Sequence, residues 1–179
     1  IMALIATDWN SRGLLKGKGV VASLMSNLGL EHYLEDNNLS LIRAAVGDRY
    51  VSEKMRDKGG NVGGEQSGHI ILSDYATGGD GLLTALQVLT VLMSKDKPAS
   101  RVMKLFTPFP QILKNVRLSP HLLNLPEVKE TLENYRKKLG DSGRIVVRAS
   151  GTETLIRIMA EGKDEKSTSD IVDHIAETL

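Results

Sequence analysis

The chain has 179 residues, 41% of them hydrophobic, so it can bury the cores of one or two domains. Its 23 Lys and Arg residues nearly balance its 22 Asp and Glu residues, which argues against a general nucleic-acid or membrane-surface binder. The absence of cysteine excludes a disulfide framework, a cysteine nucleophile and a thiolate metal site, and it fits the reducing cytoplasm.

The first part of the chain alternates helix and strand patterns. Helices are predicted at residues 2–9, 27–34 and 48–55, and strands at residues 19–24, 39–46, 61–65 and 69–73. Asp48 is expected to cap the third helix, which Gly59 ends. Trp9 lies among apolar helix positions and is expected in the core. Strands separated by helices of this length predict a layered α/β/α domain with a mixed sheet.

A further helix is predicted after Asp80, which is better placed to cap that helix than to bind a metal. Its polar positions, Thr84, Gln87 and Ser94, form only a narrow stripe, so the helix should be buried on most sides. The apolar stretch 82–93 is too short to span a bilayer, and no membrane partner is expected. Another helix follows Pro98.

Two prolines at 108 and 110 break the pattern, and we place a domain boundary there, between residues 1–107 and 108–179. The second domain should contain strands at residues 112–118, 144–148 and 154–161, with helices starting near residues 126 and 165. This order predicts a small α+β domain with helices on one face of an antiparallel-rich sheet, and the arginine face left free.

The run RASGTE, which begins at Arg148, lies with Arg157 around a tight turn between two predicted strands. Pairing these strands would bring both guanidinium groups to the same side. Arginine binds phosphate bidentately and keeps its charge, while glycine lets backbone N–H groups turn toward an anion. An ordinary hairpin with surface arginines is about as probable from spacing alone.

The run GGEQSGH, which begins at Gly63, is a second concentration of polar groups on a glycine-rich turn. Glu65 supplies paired acceptors, Ser67 a donor and an acceptor, and His69 an imidazole that can gain or lose a proton. A fixed carboxylate can accept hydrogen bonds from two adjacent sugar hydroxyls. The alternative from residue types alone is a plain surface loop.

Four stretches together resemble the α-D-phosphohexomutase superfamily, and most of all its bacterial phosphoglucosamine mutase branch. They are RASGTETLIR, MALIA followed by GVVASLMSNLGLE, AAVGDRYVSEKM, and GGEQSGHIILSDYATGGDGLLTALQ. The resemblance implies the third, sugar-recognition domain (1–107) and the fourth, phosphate-binding domain (108–179) of a four-domain enzyme. The chain opens Ile1-Met2, so a fragment of a longer protein is expected.

The resemblance also implies roles for individual residues. It assigns phosphate binding to Arg148, Ser150, Gly151, Thr152 and Arg157. It assigns the sugar hydroxyls at positions 3 and 4 to Glu65 and Ser67. His69 would lie near the reacting phosphate or simply pin the turn, and Arg49 would either help to hold phosphate or face solvent.

The implied reaction interconverts glucosamine 6-phosphate and glucosamine 1-phosphate through a phosphoserine and a bisphosphate, with Mg²⁺ and a sugar bisphosphate activator. The catalytic serine and the metal loop would lie in the missing N-terminal domains, so the chain alone should be inactive and hold no metal ligand. Its partners would be a phosphosugar and those domains. Alternatives are a phosphomannomutase or phosphoglucomutase fragment, and a stand-alone phosphosugar-binding module.

Overall fold

The computed structural model describes residues 1–151 and 153–179. They form two compact units, Ile1–Pro108 and Phe109–Leu179, called unit 1 and unit 2 below. Both predicted fold classes are confirmed, because unit 1 contains a mixed sheet between helices and unit 2 an antiparallel sheet with helices. Within these described residues, no helix combines the length and the apolar character needed to cross a membrane.

Unit 1 follows the predicted alternation of helices and strands. Its helices are α1 (Met2–Ser11), α2 (Leu28–Asp36), α3 (Asp48–Lys58), α4 (Gly81–Met93) and α5 (Ala99–Val102). Its strands are β1 (Gly19–Ser23), β2 (Ser40–Ala44), β3 (Val62–Gly64) and β4 (Ile70–Leu72).

The sheet of unit 1 has the order β2-β1-β3-β4. β1 is parallel to β2 and β3, and β4 is antiparallel to β3. Parallel strands of one sheet need crossover connections, which α2 provides between β1 and β2 and α3 between β2 and β3. The central strand β1 is buried at every position, which explains its continuous apolar run.

Helices cover both faces of this sheet. Trp9, only 2% exposed, packs with Val20 and Ala22 of β1 in the core beneath α1 and α2, as predicted. On the other face, Val21 joins Met55 of α3 in a separate apolar cluster. Successive side chains of β1 therefore point into different cores, as the pleat of a strand requires.

The N-terminus of α3 differs from the prediction. The cap predicted at Asp48 is wrong, because Gly47 occupies the cap position and Asp48 is the first helical residue, with no capping hydrogen bond. Gly47 has a φ of 122°, a conformation that glycine adopts without strain. Gly59 ends the helix in the left-handed conformation, as the sequence indicates.

The surroundings of α4 also differ from the prediction. Asp80 caps the helix through a 2.9 Å hydrogen bond from the Leu83 N–H to its Oδ1 atom. The prediction that α4 is buried on most sides is wrong, because α1, β4 and α5 cover only its inner side and its outward face is exposed. That face carries Leu82, Leu86, Leu89 and Met93.

Unit 2 is built from three strands and two longer helices among its described residues. These are β5 (Gln111–Val116), α6 (Pro126–Leu139), β6 (Gly143–Ala149), β7 (Ile156–Gly162) and α7 (Glu165–Thr178). A 3₁₀ helix at Pro120–Asn124 was not apparent in the sequence. The sheet order is β5-β7-β6, with both neighbouring pairs antiparallel.

One face of this sheet forms the core of unit 2. Ile145 and Ile158 lie on that face and pack with Val128 and Leu132 of α6 and Val172 of α7. Alternate residues point to the opposite face. The arginines of β6 and β7 belong to that second set, so the fold presents them away from the apolar core.

Candidate functional site

A tight turn joins β3 to β4 and carries Glu65, Ser67 and His69. The Glu65 N–H donates to the His69 carbonyl at 2.8 Å, and the Gly68 N–H donates to the Glu65 carbonyl at 3.1 Å. A Cβ atom on Gly64 would lie 2.3 Å from the His69 carbonyl oxygen, so only glycine permits this close approach. These backbone hydrogen bonds close the turn and fix its shape.

The carboxylate of Glu65 is fixed at one oxygen. Its Oε1 atom accepts a 2.9 Å hydrogen bond from the Gly47 N–H at the start of α3. No donor among the described residues reaches its Oε2 atom, and the residue is half-buried. Gly47 was missed by the sequence reasoning, because nothing local links it to a turn 18 residues further on.

Asp48 and His69 extend this group of polar side chains. His69 Nδ1 lies 3.3 Å from Asp48 Oδ1, and both side chains are partly exposed. Asp48, Glu65 and His69 each bring one possible ligand atom within 4.8 Å of the others. Magnesium prefers oxygen ligands in octahedral geometry, so a set that includes an imidazole nitrogen suits it poorly. We assign no magnesium to these residues.

The remaining unit 1 candidates lie at the edge of this cluster. Ser67 is exposed at the tip of the turn. Arg49, in the first turn of α3, donates from Nε to Glu53 Oε1 at 2.8 Å, and its side chain is 81% exposed. The hydrogen bond with Glu53 raises the pKa of Arg49 above its usual value. The structure thus brings Glu65, Ser67 and His69 together, whereas the guanidinium of Arg49 is turned toward Glu53.

In unit 2, strand register brings the two candidate arginines together. Arg148 on β6 lies directly opposite Arg157 on β7, so both side chains are on the same face of the sheet. Arg148 Nη1 donates to the Ala149 carbonyl at 3.3 Å. Arg157 Nη2 lies 3.7 Å from the exposed carboxylate of Glu153, and its buried Nε meets no hydrogen-bond partner among the described residues.

Like charges directly opposite each other on neighbouring strands destabilise a sheet. An anion between the two guanidinium groups would remove that repulsion and accept bidentate hydrogen bonds. β7 lies between β5 and β6, and Asn115 of β5 is the cross-strand partner of Arg157 on the side away from Arg148. Asn115, Arg157 and Arg148 therefore form one row across the sheet. The sequence reasoning missed Asn115, whose place beside the arginines depends on the strand register.

The connection from β6 to β7 carries the other three candidate phosphate-binding residues. The Ser150 N–H donates to the Leu155 carbonyl at 2.9 Å, so Ser150 is held at the mouth of the connection beside Arg148. Gly151 is exposed, and a Cβ atom added there would meet no atom within 4 Å. The candidate Thr152 lies outside the described residues.

A second charged row lies on the same face of the sheet. Glu161 of β7 is fully buried and accepts a 2.6 Å hydrogen bond from Gln111 of β5 at Oε1 and another from Arg144 of β6 at Oε2. The sequence reasoning gave no role to these three residues. Strand alternation could have placed each on this face, but their pairing depends on the register.

Sequence profiles of one family match both units. The profile described as "Phosphoglucomutase/phosphomannomutase, alpha/beta/alpha domain III" matches residues 1–109. The profile "Phosphoglucomutase/phosphomannomutase, C-terminal domain" matches residues 113–178.

Similar proteins include curated relatives from bacteria. A phosphoglucosamine mutase of Paramagnetospirillum magneticum is 54% identical over 183 residues, which cover 100% of this chain and 41% of that relative. A phosphoglucosamine mutase of Phenylobacterium zucineum is 58% identical over 176 residues, covering 98% of this chain and 39% of the relative. The chain therefore spans about two fifths of the length of these relatives.

Solved structures share the fold at lower sequence identity. N-acetylphosphoglucosamine mutase of Aspergillus fumigatus, in complex with GlcNAc-6P and magnesium, matches with a TM-score of 0.80 and 19% identity. The match covers 99% of this chain and 46% of that one. A phosphoglucomutase/phosphomannomutase family protein of Burkholderia thailandensis matches with a TM-score of 0.74 and 20% identity, over 99% of this chain and 40% of that protein.

Proposed function

Because the chain belongs to the phosphoglucomutase/phosphomannomutase family, we propose that it is the C-terminal part of a phosphoglucosamine mutase. Such an enzyme interconverts glucosamine 6-phosphate and glucosamine 1-phosphate. Relatives of that name, 50–58% identical to the chain, support this over the other family activities. The structural observation that carries the proposal is the strand register that sets Arg148 opposite Arg157.

Unit 2 binds the phosphate of the sugar in this proposal. Arg148 and Arg157 donate to its oxygens from the same face of the sheet, and Ser150, Gly151 and Thr152 add donors from the connection. Binding relieves the repulsion between the two guanidinium groups and gives the buried Arg157 Nε an acceptor. The phosphate held in this way is the one that does not react.

Unit 1 binds the sugar hydroxyls in this proposal. The Gly47 N–H fixes Glu65 through Oε1 and leaves Oε2 to accept from a hydroxyl at position 3 or 4. Ser67 contributes a second contact from the tip of the same turn. His69, beside Asp48, is available to hold or pass a proton near the reacting end. Arg49 would contact phosphate only after its guanidinium group releases the Glu53 carboxylate.

The reaction itself is assigned to a longer protein. A phosphoserine outside this chain would transfer its phosphoryl group to the C1 hydroxyl of glucosamine 6-phosphate and give a bisphosphate. The serine-oxygen-to-phosphorus bond breaks as the sugar-oxygen-to-phosphorus bond forms. The bisphosphate then turns around, and its other phosphoryl group returns to the serine. A sugar bisphosphate would serve as the activator that first loads that serine.

Magnesium, held by residues outside this chain, would neutralise charge on the transferring phosphoryl group. The 179-residue chain should therefore bind substrate but not convert it. We expect the enzyme to act in the cytoplasm, where its product would feed peptidoglycan precursor synthesis. A phosphomannomutase or phosphoglucomutase activity is the second candidate, because the matching profiles carry those names.

Titration of the 179-residue chain tests the binding half of the proposal. Glucosamine 6-phosphate should bind weakly, with a dissociation constant on the order of 1 mM, and glucosamine without phosphate should bind more weakly still. The double substitution Arg148→Ala and Arg157→Ala should lower the affinity at least about tenfold. Arg117→Ala, at an exposed arginine of unit 2, is the matched control. Equal affinity in the double variant and the control would refute the phosphate site.

Activity of the longer protein tests the reaction half. Conversion of glucosamine 6-phosphate should exceed conversion of mannose 6-phosphate and glucose 6-phosphate. A preference for either of the other two sugars would favour the second candidate function.

A further inference from the structure

Helix α4 presents an apolar stripe to solvent. Its 13 residues, GLLTALQVLTVLM, include no charged side chain. Leu82 is 74% exposed, Leu86 and Leu89 are each 53% exposed, and Met93 is 87% exposed. Their spacing of four, three and four residues places them in one row along the helix. This row is called the α4 stripe below.

The outward faces of the unit 2 helices are different. α6 carries Glu130, Glu133 and Lys137 on its exposed positions, and α7 carries Lys166 and Asp173. A helix that is apolar on all sides belongs in the interior of a protein. Contiguous exposed apolar surface marks an interaction site, whereas single exposed leucines are ordinary. The α4 stripe is therefore a candidate interaction surface.

The size of the stripe distinguishes between possible partners. A fully exposed side chain of this kind presents roughly 100 Å² of apolar surface, so the exposed fractions of the four residues correspond to an area on the order of 300 Å². A stable dimer buries about 800 Å² on each partner. Contacts between domains of one chain bury about 600–1,500 Å² in total, and a covalent link raises their effective concentration. The stripe is small for a dimer and large enough for a linked domain.

The number given to this domain and the length of the relatives favour the same partner. The matching profile numbers this domain III, and the relatives extend over more than twice this length.

We propose that the α4 stripe docks against an apolar face of the domain that precedes Ile1 in the longer protein. The proposal rests on the assignment of this chain to the C-terminal part of a longer mutase. Its test uses neither phosphate binding nor catalysis, so it can fail while the proposed function stands.

Methionine oxidation tests this docking directly. The 179-residue chain and the longer protein from the same gene are treated with hydrogen peroxide, and oxidation at each methionine is followed by mass spectrometry. Met93 should oxidise about tenfold more slowly in the longer protein, because docking removes it from solvent. Met103, which is 45% exposed, is the internal control and should react similarly in both proteins. Equal rates at Met93 would overturn the proposal, as would a gene that opens at Ile1.

A double substitution within the stripe provides the second test. Leu86→Lys with Leu89→Lys in the longer protein should restore fast oxidation of Met93, because two charges oppose docking. The same pair should leave the melting temperature of the 179-residue chain nearly unchanged, since both positions are exposed there. Leu14→Lys, at an isolated exposed leucine of unit 1, is the control. Protection of Met93 that rises with protein concentration would instead assign the stripe to a second copy and overturn the proposal.

Discussion

Two rows of side chains cross the same face of the unit 2 sheet, with one residue from each strand. The first row is Gln111, Glu161 and Arg144, and the second is Asn115, Arg157 and Arg148. In the first row a fully buried carboxylate lies between an amide and a guanidinium group, and both its oxygens accept hydrogen bonds. In the second row a guanidinium group takes the place of the carboxylate.

This difference separates a structural arginine, Arg144, from the two arginines that we propose bind phosphate. Arg144 forms an ion pair with the buried Glu161 carboxylate within the sheet, so its guanidinium group already has a structural partner. Arg148 and Arg157 oppose each other, and the Glu153 carboxylate, 3.7 Å from Arg157 Nη2, is exposed to solvent. A bound anion would therefore stabilise the second row, while Glu161 already balances Arg144 in the first row.

Breaking the paired row should have the largest effect. Glu161→Ala should lower the free energy of unfolding by about 3–5 kcal/mol, because it leaves Arg144 buried without its counter-ion. Urea denaturation of the 179-residue chain measures this loss. Glu133→Ala, which removes a surface pair with Arg136 at 3.9 Å, is the control and should cost at most about 0.5 kcal/mol. Similar losses in the two variants would contradict the structural role of the first row.

Changes in the second row should affect function far more than stability. Arg157→Ala in the longer enzyme should lower kcat/KM about 100-fold, because a charge-assisted bidentate contact to phosphate is lost. Both a higher KM and a lower kcat are expected, since binding of the remote phosphate also stabilises the transition state. Without ligand, the same change should raise the melting temperature slightly by removing the facing charge. A large loss of stability would place Arg157 in the structural class with Arg144.

A smaller effect is expected at the carboxylate of unit 1. Glu65→Gln keeps an oxygen for the Gly47 N–H but removes the charge that accepts sugar hydroxyls. We expect kcat/KM to fall about tenfold, with the affinity for inorganic phosphate unchanged. Asp57→Asn, at an exposed carboxylate on α3, is the control. A loss of phosphate affinity in Glu65→Gln would contradict the separation of sugar and phosphate recognition.

The smallest effect is expected at an ion pair that solvent screens. Lys16 Nζ donates to Asp74 Oδ1 at 2.7 Å, and this bond lowers the pKa of Asp74 below its usual value. A depressed pKa contributes stability above the unfolded value, near 3.9, and this stability is lost as the pH falls through the folded value. Asp74→Asn should therefore cost at most about 1 kcal/mol at pH 7, since Lys16 is well exposed.

The cost of Asp74→Asn should shrink as the pH falls below about 3.9 and disappear once the pH lies below the depressed folded pKa of Asp74, where the native carboxylate is protonated as well. Thermal melts from neutral pH downward measure the difference between the variant and the native chain. A difference that stays constant as the pH falls would show that the hydrogen bond to Asn61, and not the charge of Asp74, stabilises the structure.

Local patterns in the sequence were sufficient for most elements. Alternation of apolar and polar residues predicted β6 and β7, and the glycine at 59 predicted the end of α3. Local patterns were insufficient where a residue distant in the sequence determines a cap or the burial of a helix. The cap position expected at Asp48 is taken by Gly47, whose N–H donates to the Glu65 carboxylate from another part of unit 1. The burial expected for α4 depends on what covers it, which its own sequence cannot specify.

The arginines show the same division. Alternation along β6 determined by itself that Arg144 and Arg148 share a face, because side chains of a strand repeat every second residue. Only the tertiary structure decided that Arg144 meets Glu161 and Arg148 meets Arg157, since cross-strand partners depend on a register set by the whole sheet. That register makes one arginine part of the fold and leaves the other facing a like charge.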